Sequence, residues 1–168
     1  MTRLTHDEPP IELSSPACAM HEADDAYMGY SGRVELIAFL NALLEVERAG
    51  VRVTLESARA AGSGSIAELM RSLAQDEAHW CAMLLHHINA LGATPSSTVG
   101  AFYDKAMAIV ELDERVIFLN RSQNWIVRKL REMLPRVRDV PLGADLSKML
   151  GSHETNIVRA GDVVGATL

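Results

Sequence analysis

Four stretches of the 168-residue chain carry apolar residues three or four apart, and glycine or proline interrupts every gap between them. Between Gly32 and Ala61 the residues Leu36, Leu40, Leu43, Leu44, Val51 and Leu55 fall on one side of a 3.6-residue spiral, the signature of an amphipathic helix. The Gly62-Ser63-Gly64 turn stops it, and Ser65 is placed to cap a second helix that runs to Leu91 and ends at Gly92. A loop around Thr94-Pro95-Ser96-Ser97 leads to a third helix over roughly 99–134, halted by Pro135. With Pro141 as a further breaker, a fourth helix spans Ala144 to Arg159. No segment alternates apolar and polar residues for the length of a strand. The expectation is an all-α chain, a four-helix bundle over residues 31–160, with a tail at 161–168. Residues 1–30 contain Pro9, Pro10, Pro16 and Gly29 without helical spacing, and they read as an extended arm packed on the bundle.

Composition agrees with helices. The chain is 48% hydrophobic but only 5% aromatic, so aliphatic side chains must fill the core, and strands favour aromatics and β-branched residues more. Net charge is −6 at pH 7, which recruits neither a phosphate backbone nor an anionic membrane. The cationic run Arg128-Lys129-Leu130-Arg131 lies near a helix C-terminus, where cations are favoured anyway. No nucleic-acid partner is expected. No apolar run reaches the roughly 20 residues of a membrane helix, and the polar, acidic start of the sequence lacks the pattern of a secretory signal. Two cysteines, Cys18 and Cys81, make no disulfide framework, and a cytoplasmic location follows as the default.

The exceptions to the aliphatic pattern are more informative. The apolar line of the first helix passes through Glu47, while Glu45 shares a solvated side with Asn41, Arg48 and Arg52. In the second helix the line Ile66, Met70, Leu73, Leu84, Ile88 passes through Glu77, with Trp80 and Cys81 beside it. Asp76 and His79 offer a carboxylate-x-x-His spacing, yet they lie about 100° and 160° around the helix from Glu77 and should face outward with His86. The fourth helix carries His153 at the centre of its apolar stripe, with Asn156 at the edge.

The third helix is apolar on two sides. One carries Val116, Leu119, Ile126 and Leu130, interrupted by Asn120 and Gln123. The other carries Met107, Val110, Ile117, Phe118 and Trp125. A helix with two apolar faces needs two covers. The second is either the arm, through Ile11, Leu13, Met20, Tyr27 and Met28, or another copy of the chain in a dimer.

Glu47 and Glu77 are equidistant from the Gly62 turn, so antiparallel helices bring them to one level, and Gln123 and His153 are similarly matched across the later turn. A polar layer of Glu47, Glu77, Gln123 or Asn120, and His153 inside an apolar bundle follows. Buried carboxylates are costly unless protonated, paired or metal-bound.

At these residues the chain resembles the ferritin-like superfamily. The phrases Leu44-Glu45-Val46-Glu47-Arg48-Ala49-Gly50, Asp76-Glu77-Ala78-His79-Trp80 and Leu119-Asn120-Arg121-Ser122-Gln123-Asn124-Trp125 are also similar to an uncharacterised bacterial family of ferritin-like proteins, as is the stretch from Ser14 to Glu22. The resemblance implies inward carboxylates and two Glu-x-x-His pairs binding two iron or manganese ions. Here Glu47, Glu77 and His153 match that pattern. Trp80 stands where the first histidine belongs, Leu150 where the second pair's glutamate belongs, and Gln123 or Asn120 where a third-helix carboxylate belongs, unless Glu111 or Glu114 turns inward. The set is degenerate.

Two readings of the layer stay open. In one it is a metal-free polar network inside a binding or structural protein. In the other Glu47, Glu77 and His153 hold a single Fe, Mn or Zn ion in a small oxidoreductase, with Gln123, Asn120 and Trp80 lining the place for a bound water or substrate. A third role is a helper subunit docking a partner through the third helix. Cys18-x-x-His21-Glu22 offers a thiol and an imidazole at a spacing that can share a metal, but only part of a structural zinc set. No nucleophile elbow or phosphate-binding loop is present.

Overall fold

The computed structural model describes residues 25–165, and among them every regular element is helical. Helix α1 spans Arg33–Ala61 and α2 spans Ser65–Ala90. Gly62 and Gly64 take φ of 69° and 91°, a region open to glycine, and this reverses the chain in three residues. The expected Ser65 cap is not made. Gly64 occupies the cap position, and Ser65 is already the first helical residue.

The single third helix expected over 99–134 is instead two. A short α3, Phe102–Met107, is followed by α4, Leu112–Met133, which ends in a 3-10 turn at Leu134–Arg136. Arg115 accounts for the break. Its side chain is buried, and the guanidinium donates through Nε (3.0 Å) and Nη2 to the carbonyl of Ile109 and through Nη1 to Ser57 Oγ (3.3 Å). A carbonyl captured in this way is lost to the helical ladder. The apolar spacing through 99–134 carries no sign of it.

Helix α5 runs Val140–Gly165, longer at both ends than expected, so residues 161–165 belong to the helix rather than to a tail. Pro141 does not break it. In the first turn an N–H has no helical partner to lose, and the Asp139 carboxylate accepts the Leu142 N–H at 2.8 Å as a cap.

Pairing is antiparallel. Arg33 at the start of α1 donates to the Leu91 carbonyl beyond the end of α2 (Nε, 3.1 Å). Across α4 and α5, Arg131 meets Glu154 at 2.6 Å and Asn120 Nδ2 donates to the Ile157 carbonyl at 3.1 Å. The core falls into two apolar clusters. One gathers Leu40, Leu43, Leu84, Ile126, Leu130 and Leu146; the other gathers Val53, Met70, Leu73, Val116, Leu119 and Ala160. Each long helix passes from one cluster to the other through a buried polar residue: Glu47 and Thr54 on α1, Glu77 on α2, Gln123 on α4, His153 and Asn156 on α5.

The second apolar face of the third segment is covered in part by α3. Phe102 stacks on Phe118 with ring centroids 5.0 Å apart, and Tyr103 donates to Glu56 Oε1 at 2.6 Å, tying α3 to α1. The arm residues expected there do not provide that cover where they are described: Tyr27 and Met28 are exposed. Asp25 pairs with Arg138, and the Ser31 N–H donates to the Arg136 carbonyl at 2.8 Å, so this end of the arm is tied to the turn after α4. Ile11, Leu13, Met20 and the Cys18, His21, Glu22 group lie outside the described residues. The basic residues near that turn engage carboxylates, Lys129 with Glu132, Arg131 with Glu154 and Arg136 with Glu35. No helix among the described residues is long and apolar enough to cross a membrane.

Candidate functional site

The layer between the two clusters contains the four side chains that helical geometry singled out. Glu47, Glu77, Gln123 and His153 are all at most 3% exposed. They form a chain of contacts. Thr54 Oγ1 lies 3.1 Å from Glu77 Oε2, Gln123 Nε2 donates to Glu77 Oε1 at 3.2 Å, and His153 Nδ1 meets Gln123 Oε1.

This amide orientation selects one tautomer for a neutral imidazole. Gln123 presents its carbonyl to the ring and its amide NH2 to Glu77, so the ring carries its proton on Nδ1. Nε2 is then a bare acceptor. It lies 3.2 Å from Glu47 Oε1 but off the line of a hydrogen bond, and among the described residues Nε2 and both Glu47 oxygens have no hydrogen-bond partner. Acceptor faces acceptor inside the core, a pair satisfied by one proton or one cation between them.

Glu77 is drawn away from that pair. Burial, and next the Glu47 carboxylate, push its carboxyl well above the ordinary range. Thr54 has a single hydroxyl proton and also lies 2.8 Å from the Gly50 carbonyl. When that proton is donated to Gly50, the contact with Glu77 is closed by a proton on Glu77, in keeping with a carboxyl held neutral. The carboxyl rests directly on the α1 backbone at Gly50, where a Cβ would stand 2.7 Å from Oε1 and 2.8 Å from Cδ. The level match of Glu47 and Glu77 therefore does not make them a clasp. Side chains lean toward the N-terminus of their own helix, so on antiparallel helices these two lean apart. Among the described residues no three His, Cys, Asp or Glu side chains are grouped so as to hold a metal ion.

The other expected residues scatter. Trp80 is buried in the first cluster, with Nε1 unpartnered and its ring edge-on to His79 at 4.6 Å. Asn120 is half-buried and spends its amide on the Ile157 carbonyl, one turn away from the layer; Gln123 takes the inward place. Glu111 and Glu114 are exposed, as are His79 and His86. Asp76, expected to face outward, is half-buried and accepts from Asn156 Nδ2 at 3.1 Å, and Arg159 holds the same Asn156 at 3.3 Å.

The side of α1 expected to be solvated is in fact a clamp. Asn41 Oδ1 accepts the Ser96 N–H at 2.6 Å, Glu45 accepts the Ser96 hydroxyl, and Arg48 donates to the Ser96 carbonyl. Hydrogen bonds from Ser96, then Thr98, hold the Glu45 carboxyl below its usual range. Helical spacing cannot reveal a partner that lies in a loop. Gly50 and Thr54 were also missed. A glycine inside a long helix, one turn from an inward glutamate, was the available signal.

A family model described as a domain of unknown function (DUF6306) matches residues 34–163, which takes in nearly all of the four long helices and the whole polar layer. No curated protein and no solved structure matches the chain.

Proposed function

The chain belongs to the DUF6306 family, and we propose that it is a ferritin-like four-helix bundle acting as a cytoplasmic binding or structural protein, with a hydrogen-bonded network in place of the two-metal centre. The carrying observation is Gln123. An uncharged amide stands where the pattern asks for a carboxylate, and both of its ends are engaged, one by Glu77 and one by His153. Trp80 and Leu150 replace two further ligands. Elemental analysis of the full chain, produced with iron and manganese supplied, tests this. Metal-free protein whose melting is unchanged by a chelator supports the network.

A second reading is favoured by the unpartnered Glu47 oxygens and His153 Nε2. A single Fe, Mn or Zn ion on these two residues would satisfy all three atoms and give a small metal-dependent oxidoreductase. Glu77, the third expected ligand, is engaged by Thr54 and Gln123. Stoichiometric metal that disappears in Glu47→Gln, a substitution that keeps the side-chain shape, would overturn the network in favour of this reading.

A further inference from the structure

Residues 93–100 form no helix, and beyond Ala93, which donates to the Ile88 carbonyl and packs on the first cluster, their main fastening to α1 is at Ser96. The backbone N–H, the carbonyl and the hydroxyl of Ser96 are each held by a different residue of α1, namely Asn41, Arg48 and Glu45. Thr98 folds back on the same hydroxyl, its N–H at 3.2 Å and its Oγ1 at 2.9 Å. Three residues on from Ser96, Val99 forms one wall of a cleft of about 360 Å³. Arg48, Val51 and Arg52 of α1 and Ala78 and Cys81 of α2 complete it.

The position of Cys81 makes this cleft more than a surface dent. It lies one helical turn beyond Glu77, and the N-terminal lean of helix side chains carries it back toward the level of Glu47. Burial, and next the Glu47 carboxylate, push its thiol up to about 12. Cys81 is thus a half-buried thiol that lines the cleft and lies near enough to feel the carboxylate whose two oxygens are unpartnered.

We propose that the Ser96-latched segment is a gate, and that releasing the latch opens the solvent route past Cys81 to Glu47 and His153 for small solutes. The latch bonds lie within Ser96 and Thr98, so residues 94–99 can leave α1 as a unit while Ala93 stays packed on the first apolar cluster. Locally fastened elements of this kind open at a free energy below that of global unfolding.

The gate is independent of whether the core holds a metal. In a full-length Cys18→Ser chain, Cys81 is the one remaining thiol, and iodoacetamide reads its access. The thiolate sulfur bonds to the reagent's methylene, iodide leaves with the electron pair, and intact mass counts the product. Combining Asn41→Ala with Glu45→Ala should raise the alkylation rate by about tenfold or more, since two of the hydrogen bonds holding the segment are gone. Ser96→Ala, which removes only the hydroxyl, should give a smaller rise. Leu119→Ala weakens the distant second cluster and should leave the rate within about twofold of the parent, the behaviour of local rather than global opening. Latch variants alkylated at the parent rate would overturn the gate. So would acceleration no greater than that of Leu119→Ala.

Discussion

Replacing Gly50 with alanine sets two effects of opposite sign against each other. In a helix interior, alanine is favoured over glycine by about 1 kcal/mol, and an open position would simply gain it. Gly50 is not open. The new Cβ would stand 2.7 Å from Glu77 Oε1, 2.8 Å from Cδ and 3.0 Å from Oε2, so the carboxyl has to withdraw. Withdrawal breaks the contacts with Thr54 at 3.1 Å and Gln123 at 3.2 Å, both buried. Leaving a buried polar group unpaired costs about 1–3 kcal/mol each, so two of them outweigh the propensity gain and leave a net loss of about 1–5 kcal/mol. Urea unfolding monitored by circular dichroism measures it as a lower midpoint at unchanged slope. A double-mutant cycle locates the cause. In a Glu77→Ala background the clash is gone, and Gly50→Ala should stabilise by about 1 kcal/mol, giving a coupling of about 2 kcal/mol or more between the sites. A Gly50→Ala protein as stable as the wild type, with Glu77 present, would refute the berth for this carboxyl.

Three further outcomes follow from the same contacts. The raised pKa of Glu77 means the folded state holds a proton that the unfolded chain has released. This contribution is complete below pH 4.5 and is lost as pH rises through the folded-state value, with a slope of at most about 1.4 kcal/mol per pH unit. Unfolding free energies of wild type and Glu77→Gln, measured from pH 4 to 9, should diverge with the wild type falling relative to the variant; parallel curves would refute a neutral Glu77. Arg115→Met removes the donors that hold the Ile109 carbonyl and should cost about 2–3 kcal/mol, with faster amide exchange at 108–112 than elsewhere. Unchanged exchange there would show that the α3–α4 break does not depend on this residue. Val110 and Ile117 remain exposed on the face where a second copy was expected, so light scattering of the wild type should report a dimer that Val110→Glu with Ile117→Glu reduces to monomer. A wild-type monomer at micromolar concentration would remove that partner.

Which residues turn inward was legible; what they then touch was not. Periodicity placed Glu47, Glu77, Gln123 and His153 on apolar stripes at one level, and these four form the layer between the two clusters. That inference needs only the 100° step of the helix. The next step needs the lean of each side chain along its axis, which level matching does not supply: the Glu77 carboxyl reaches back to the α1 backbone at Gly50. The helix break at 108–111 was hidden for a different reason. Val110 and Leu112 continue an apolar spacing, and nothing in that spacing shows that Arg115 will capture a carbonyl six residues upstream. Asn41, Glu45 and Arg48 were read as a wet face because their partner, Ser96, lies in a loop with no period to follow.

The layer has a consequence for register that an aliphatic core would lack. Leucine stripes on antiparallel helices pack nearly as well after a one-turn slip as before it, because any leucine fills much the same space. Glu77 cannot slip. One turn of α1 in one direction puts Thr54 opposite its carboxyl, and one turn in the other puts Val46 there. Gly50 alone of the three lacks the Cβ that would collide with it. On the other side of the core, a slip of α5 along α4 would part His153 from Gln123 and leave two more buried groups unpaired. Both helix pairs are thus held to one register by contacts that meet at Gln123. The unpartnered atoms of Glu47 and His153 sit at the one place where this network is incomplete, so the rigidity of the surrounding layer is what would keep them poised for a proton or a cation.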